Sequence, residues 1–550
     1  MKRHELPGPR KQVLYDFLAC AIVILFHFTN YVVYTEYDRI YPDILVVAGG
    51  LCAVAAGLTA LLRIPSAVFR AAVFSVLITV VLGDALFEFG TKDDISLRLI
   101  ALSGVLVLAL AVMFFLREHA NLVLIGGFLA MFVATVGIGL LAARKDGPDL
   151  ASGSAATADL PVVVHIVLDE HIGLSGLSSA TPGGAATSAI SRRFYTDAGF
   201  RVFAGAYSRF FRTEASLAGA LNFDGSAQAT RFLTRKHYGF SLNENAYLKA
   251  YADKGYRIRV YQSDYFDLCK SHGIAFAGCA SYRPDYLSRT AIDGLPGPER
   301  ARLLFGMYYS SIAVIKIAKL AGKQLDRWAK NQGVSLPSPG LWHGRVGPLA
   351  VVPTFNNLIR DVSRAAGGTV FFAHLLMPHY PYVYNSACAV RSPISAWRLR
   401  FDGNLENSPE SRRRSYAQYI EQVRCVEKRL TVLFAALKKA DTYDRATIVL
   451  HGDHGARIGL TDPASATVSS LTPADYTDAF STLFAVKAPD ITPGVDPRML
   501  PLTSLVPYAL DRDEDLLRAA GDPTVYIVDG NGNASPHALP AFPSLPKQLN

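Results

Sequence analysis

The apolar positions of this chain fall into two regimes. Up to about residue 143 they run together, in stretches near 14–34, 42–62, 67–89, 97–116 and 120–143 separated by short polar breaks. Each is close to the about 20 residues that an α-helix needs to cross a bilayer. From residue 161 the apolar runs are short, near 162–168, 257–262, 369–375 and 446–450. They alternate with stretches of helical character near 187–198, 244–254, 354–365 and 415–440. That alternation predicts an α/β domain with a largely parallel sheet. Between the regimes, residues 146–160 are small and polar and read as a flexible linker. The expected organisation is a helical membrane domain of five spans over 1–145, the linker, an α/β domain over 161–520 and a tail over 521–550. In the tail, Tyr526-Ile527-Val528 is a candidate edge strand, and the Pro-rich end reads as poorly ordered.

Charge gives the helical regime a direction. Lys2, Arg3, Arg10 and Lys11 precede the first stretch, Arg63 and Arg70 flank one connection, and Arg117 sits in another. The intervening connections carry Glu36, Asp38 and Asp43, then Asp84, Glu88, Asp93 and Asp94. The positive-inside rule puts the N-terminus in the cytoplasm and, after five spans, the rest of the chain outside it. Arg144-Lys145 runs against this pattern. The first stretch is too long and too poorly bounded for a cleaved signal peptide. The expected setting is a bacterial inner membrane with the α/β domain on the periplasmic side.

Composition narrows the function classes. The 550 residues are 50% hydrophobic, with mean hydropathy +0.21 and formal net charge +9. No basic run is interleaved with aromatics, which argues against nucleic acid as a partner. A basic membrane protein more simply faces anionic lipid. Residues 298–333 mix Arg300, Arg302, Lys316, Lys319, Lys323, Arg327 and Lys330 with Leu303, Leu304, Phe305, Met307, Ile312, Ile315 and Leu320. Such a basic amphipathic segment either lies on a membrane surface or packs on the domain with its basic face solvated. Of the six cysteines, Cys20 and Cys52 lie in apolar stretches. Cys269, Cys279, Cys388 and Cys425 all follow residue 260, and an even set outside the cytoplasm suggests two disulfides, 269–279 and 388–425.

Functional groups on a parallel sheet gather beyond the carboxyl ends of its strands. Four stretches converge there. Ala446–Leu450 ends in His451-Gly452-Asp453-His454-Gly455, where small residues permit a sharp turn and an adjacent carboxylate and imidazole suit zinc, manganese or magnesium. Val162–Leu168 ends in Asp169-Glu170-His171, so Asp169 can reach the same metal and Glu170 and His171 are further candidates. Thr213 opens a strongly helical stretch. It is either an N-cap or a hydroxyl in the positive field of a helix N-terminus, where a nearby metal could make it a nucleophile, with Ser216 the weaker candidate. His374 and His379 lie in a Pro-containing loop after the strand near 369–375, placed to bind phosphate or protonate a leaving group.

In this order, the strand ending in Asp169, the helix after Thr213, the run His374-Leu375-Leu376-Met377-Pro378-His379-Tyr380-Pro381-Tyr382 and the run Gly452-Asp453-His454-Gly455 resemble the alkaline-phosphatase superfamily, in its sulfatase-like branch. With five preceding spans the chain looks like the membrane-bound phosphoethanolamine and glycerophosphate transferases. The resemblance implies a metal site of Asp169, Thr213, Asp453 and His454, Thr213 as nucleophile, and substrate contacts from His374 and His379. It also implies an envelope lipid or glycan as substrate. The Cys/Ser-x-Pro-x-Arg motif of true sulfatases is absent, and Leu168-Asp169-Glu170-His171 stands where the phosphoethanolamine transferases carry Gly-Glu-Thr/Ser-x-Arg. After the last motif many relatives carry Glu, where this chain has Ala456-Arg457, and the basic Arg457 suits an anionic substrate. Two other readings stay open: a sulfuric-ester or phosphodiester hydrolase of the same fold, and an inactive relative that binds envelope components.

Overall fold

Parallel strands need covered faces, and the strand Val163–Leu168 (β1) meets that need with all six residues buried. The computed structural model describes residues 9–34, 42–64, 66–89, 95–116, 119–141, 159–177, 181–236, 239–282, 294–312, 346–365, 367–398, 408–459, 461–465, 467–529 and 533–545, with Ile292 and Ile315. The chain divides into two compact units.

Up to residue 146, the described residues of the first unit form five helices: Pro9–Tyr34 (α1), Asp43–Leu61 (α2), Ala67–Phe89 (α3), Ile95–Leu116 (α4) and Ala120–Leu141 (α5). Five helices match the expected number, but the expectation of five spans is not met on length and apolarity. Among the described residues, three segments are long and apolar enough to cross a membrane: Arg10–Val33, Asp43–Leu61 and Ala120–Gly137. The apolar parts of the other two, Val68–Gly83 and Ile100–Leu116, are shorter. Many large apolar side chains of this unit are exposed, Leu45 and Phe115 among them. Asp16 accepts from Gln12 (3.1 Å) and Asn121 (2.5 Å) and faces Arg70 (3.4 Å). The acidic connections at Glu36, Asp38, Asp93 and Asp94, the basic Arg117 and Arg144-Lys145 lie outside the described residues.

The basic amphipathic segment belongs to this helical unit. Its helix Gly297–Ser311 (α6) pairs Arg300 Nε with Asp43 (2.8 Å) at the start of α2 and Tyr308 with His27 Nδ1 (2.9 Å) of α1. Tyr308 also packs edge-on against Phe28 and Tyr31. In its described part Leu303, Leu304, Met307 and Tyr308 are buried against protein, while Phe305 is exposed. Lys316, Lys319, Lys323, Arg327 and Lys330 lie outside the described residues.

The second unit is built on an eight-stranded sheet. Besides β1 it has Arg201–Tyr207 (β2), Arg257–Ser263 (β3), Phe276–Tyr282 (β4), Thr369–Leu375 (β5), Thr447–Gly452 (β6), Phe484–Lys487 (β7) and Gly494–Pro501 (β8), in the order β8-β2-β7-β6-β1-β5-β3-β4. Every neighbouring pair is parallel except those of β7, which is antiparallel to both β2 and β6. The four expected strands are the central block of this sheet. One face packs on helices Thr213–Leu221, Ala246–Asp253 and Leu502–Asp511, through Val163, Val167, Phe203, Leu217, Leu248 and Val506. Helices Gly184–Asp197, Val351–Val362 and Pro409–Lys439 complete the layering. Both disulfides form, Cys269–Cys279 and Cys388–Cys425, with Cα separations of 6.3 and 4.9 Å.

The strand expected at Tyr526-Ile527-Val528 forms, though not at the edge of the eight-stranded sheet. Thr524–Val528 pairs with Ala534–Ala538 in a separate two-stranded sheet. Val525 and Ile527 are buried against Tyr207, Phe211 and Phe480, and Tyr526 stacks on Phe210. Alternating burial, not length, decides this.

Candidate functional site

Register brings the two aspartates together. Leu168 pairs with Gly452 on one side and Leu375 on the other, so the next residues of β1 and β6, Asp169 and Asp453, leave the sheet side by side. Asp453 Oδ1 accepts the backbone N–H of Glu170 and of His454, both at 2.9 Å, which locks the two turns to each other. Gly455 packs its backbone on the Asp478 carbonyl, so a Cβ at this position would overlap it. The Gly-Asp-His-Gly run is thus a close-approach requirement.

The helix Thr213–Leu221 points its start at the same place. Its N-cap is Arg212, extended and without a side-chain cap bond, so Thr213 is the first helical residue and not a cap. The Thr213 hydroxyl is 3.2 Å from His454 Nε2 and 3.5 Å from Asp169 Oδ2. His454 Nδ1 lies 2.9 Å from the Gly455 carbonyl; donation there leaves the Nε2 lone pair facing Thr213. Ser216, one turn on, is turned elsewhere: it donates to the Asp453 carbonyl (2.5 Å) and accepts from Ser208 (2.7 Å). It supports the Asp453 turn.

Asp169, Asp453 and His454 are buried, and their ligand atoms lie within 4.8 Å of one another. Asp169 Oδ1 and Asp453 Oδ2 are buried without a hydrogen-bond partner. Burial and the charge of Asp169 hold the Asp453 carboxyl well above the usual carboxylate range. Burial works against Asp169 too, but His379, His374 and His454 pull its carboxyl below the usual range. Burial, then Arg457, pushes His454 down, so its imidazole is neutral. Two orphaned carboxylate oxygens and a neutral imidazole nitrogen, desolvated and converging, fit a divalent cation of the zinc or manganese type.

The remaining expected residues gather around this core. His374 Nε2 is 3.3 Å from Asp169 Oδ2, and His379 Nε2 is 3.8 Å from Glu170 Oε1. Arg457 reaches back to Glu170, its Nε 2.8 Å from Oε1 and its Nη2 on the same oxygen. His171 is not brought in: its Nδ1 bonds to the Ile172 carbonyl, and burial pushes it down to about 4. It is in neither metal-capable group of the described residues.

One helix does work that sequence reading did not find. From Pro409–Lys439, Tyr416 donates to Asp478, whose backbone carbonyl accepts the Arg457 N–H. Tyr419 donates to the Glu170 carbonyl (2.8 Å) and accepts from Ile172 N–H (2.8 Å). Gln422 Nε2 donates to the carbonyls of Pro378 (3.0 Å) and His379 (3.1 Å). Spacing of three residues puts these polar groups on one buried face, a signal present in the sequence. Cys425, three further on, ties the loop carrying His379 through Cys388.

No family model matches the chain, and no curated protein matches it. Among solved structures, the C-terminal periplasmic domain of EcEptC from Escherichia coli is similar at 15% identity, covering 73% of this chain and 99% of that one, with TM-score 0.40. The same domain in complex with Zn is similar at 14% identity, 72% and 97% coverage and TM-score 0.39. Phosphonate monoester hydrolase SpPMH from Silicibacter pomeroyi is similar at 16% identity, 64% and 72% coverage and TM-score 0.39.

Proposed function

We propose that this chain is a metal-dependent phosphotransferase of the alkaline-phosphatase superfamily that works through Thr213. The observation that carries the reading is the Thr213 hydroxyl, 3.2 Å from His454 Nε2 and 3.5 Å from Asp169 Oδ2 at the first residue of a helix. Its position favours attack on an anionic centre, because the unpaired amides of the first turn attract phosphoryl oxygens. A divalent ion held by Asp169, Asp453, His454 and Thr213 would supply Lewis-acid polarisation and lower the hydroxyl pKa. The Thr213 oxygen, its proton given up to solvent beforehand, forms a bond to phosphorus as the bond to the leaving oxygen breaks. His379, its side chain partly exposed where His374 is buried, protonates that leaving oxygen. In the second half the same imidazole takes the proton of an acceptor hydroxyl, which attacks phosphorus and frees Thr213. An acceptor hydroxyl makes the chain a transferase; water in its place makes it a phosphodiesterase.

The apolar helical unit supports a membrane-bound setting, with a lipid or envelope glycan as substrate. We place the N-terminus in the cytoplasm and residues 161–550 on the periplasmic side of a bacterial inner membrane. Arg10 and Arg70 mark one end of α1 and α3, and acidic Asp43 marks the opposite end, at the start of α2. A secreted-enzyme reporter fused after residue 160 is expected to be active and a cytoplasmic reporter there silent. The reverse pattern removes the proposed access to envelope substrates.

The test of the function is covalent. After incubation of the full-length protein with candidate donor phospholipids, peptide mass mapping is expected to show a phosphoryl-linked adduct on the peptide containing Thr213. An adduct on Ser216 instead overturns the assignment.

A further inference from the structure

The helix α6 lies in the chain between β4 and β5, yet it belongs to the helical unit. Its charge is confined to one end. Glu299, Arg300 and Arg302 fall in its first turns, and no charged residue follows from Leu303 to Ile315, a run of 13 residues. Such a run is too short to span a bilayer and suits a buried helix or one that enters a membrane and turns back.

The contacts of α6 give its depth. Arg300 Nε lies 2.8 Å from Asp43 at the start of α2, and the Tyr308 hydroxyl lies 2.9 Å from His27 Nδ1 of α1. The end of α1 at Tyr34 and the start of α2 at Asp43 are on the same side, because only a short connection joins them. His27 is about 10 Å back from that end along α1, and Tyr308 is about 12 Å past Arg300 along α6. The two spacings agree, and both stay within the about 15 Å of half a hydrocarbon core. At the deep end Ser311 Oγ donates to the Tyr308 carbonyl (2.7 Å), so the helix itself satisfies one of the carbonyls its terminus leaves open.

The face of α6 turned away from α1 and α2 carries a cation above two rings. Arg302 and Phe305 are exposed. Tyr309 is half-buried and stacks on Phe305, with ring centroids 6.2 Å apart and planes at 24°. Spacings of three and four residues put the three side chains on one stripe. Among the described residues Arg302 has no ion pair.

We propose that this stripe is a contact site for an anionic phospholipid, with acyl chains along Phe305 and Tyr309 and the lipid phosphate at Arg302. The inference rests on the reading of α1 and α2 as membrane-spanning. The order along the stripe, cation first and aromatics deeper, is the order of a phospholipid from headgroup inward. Aromatic rings with a polar tip favour the level just below the headgroups. The helix α2, on which α6 packs, also exposes Leu45 and Val46 near the Asp43 end, so hydrocarbon is the matching surroundings there. An unpaired guanidinium favours a headgroup of net negative charge. The chain of the sheet then reaches the membrane at α6 as well as through the linker at 146–160.

The test is photochemical. Full-length protein with p-benzoylphenylalanine in place of Phe305 is reconstituted in vesicles of phosphatidylethanolamine with a minority of phosphatidylglycerol, irradiated and mapped by mass spectrometry. The peptide containing position 305 is expected to carry a phospholipid, with phosphatidylglycerol about fivefold over its share of the vesicle. Arg302→Gln is expected to keep the adduct and return the lipid ratio to that of the vesicle. The same label in place of Leu45 is expected to capture lipid, and in place of Val432, exposed on Pro409–Lys439 of the sheet's unit, none. A lipid adduct at Leu45 without one at 305 overturns the inference, as does a cross-link from 305 to this chain's own peptides. A vesicle-like lipid ratio at 305, an enrichment that Arg302→Gln leaves unchanged, or equal lipid capture at Val432 also overturns it. Absence of lipid at both 305 and Leu45 instead removes the membrane-spanning premise and leaves the Thr213 chemistry standing.

Discussion

Thr213→Ala is expected to reduce turnover by at least about 10³-fold while leaving the fold intact. The loss follows from chemistry: without the oxygen no covalent intermediate forms, and removal of a nucleophile costs far more than removal of a binding contact. The intact fold follows from structure. A Thr at a helix start is ordinarily suspected of capping, and its replacement by Ala then costs about 0.5–2 kcal/mol. Here Arg212 is the N-cap residue and makes no side-chain cap bond, and Thr213 is already helical, so Ala gains propensity at no lost cap. The hydroxyl lies against His454, Asp169 and Asp453, the groups of the site itself. Thr213→Ser keeps the oxygen in place and is expected to retain part of the activity. Ser216→Ala is expected to act in the opposite sense: a modest activity loss, with a stability loss of about 1–3 kcal/mol, because the buried Asp453 carbonyl and the Ser208 hydroxyl both lose a partner. Turnover and chemical denaturation measured on the three variants separate the roles. Normal turnover by Thr213→Ala removes the proposed mechanism.

The contrast between Thr213 and Ser216 shows where the sequence is legible and where it stops. Asp169 and Asp453 were readable because each follows an apolar run, and a parallel register then places strand ends beside each other. The central strands were readable for the same reason. The flanking strands were not. Arg201–Tyr207 has glycine and alanine at its centre, Phe484–Lys487 is four residues long, and Gly494–Pro501 contains two prolines, so none carries a strong periodic signal. Pairings across the chain were equally hidden. Arg457 meets Glu170 across 287 positions, an ion pair that no local pattern announces. The docking of Arg300 on Asp43 likewise depends on which unit the segment joins, which hydrophobic pattern alone does not state.

Asp453→Asn is expected to abolish metal binding and yet make the metal-free protein more stable. Asparagine keeps an oxygen where Asp453 Oδ1 accepts the Glu170 and His454 amides, so both turns stay locked. The change falls on Oδ2, which is buried without a hydrogen-bond partner and lies 3.2 Å from His454 Nε2. In the metal-free wild type this oxygen faces a lone pair. Burial and Asp169 therefore hold the carboxyl above the usual range, and at neutral pH folding must bring it a proton that the unfolded chain lacks. The Asn Nδ2–H can donate to His454 Nε2 with no proton to acquire, so that penalty disappears. With metal the order reverses. Wild type at a metal concentration a hundredfold above its Kd gains about 2.7 kcal/mol, whereas a site short of one carboxylate gains close to nothing. Thermal melts of both proteins, stripped and then supplied with Zn²⁺, test this directly: the curves should cross, Asp453→Asn melting higher without zinc and lower with it. A variant that melts lower in both conditions means Asp453 holds the fold through contacts other than these. A variant that still gains stability from zinc means the ion sits elsewhere, and Asp169, Asp453 and His454 are not its ligands.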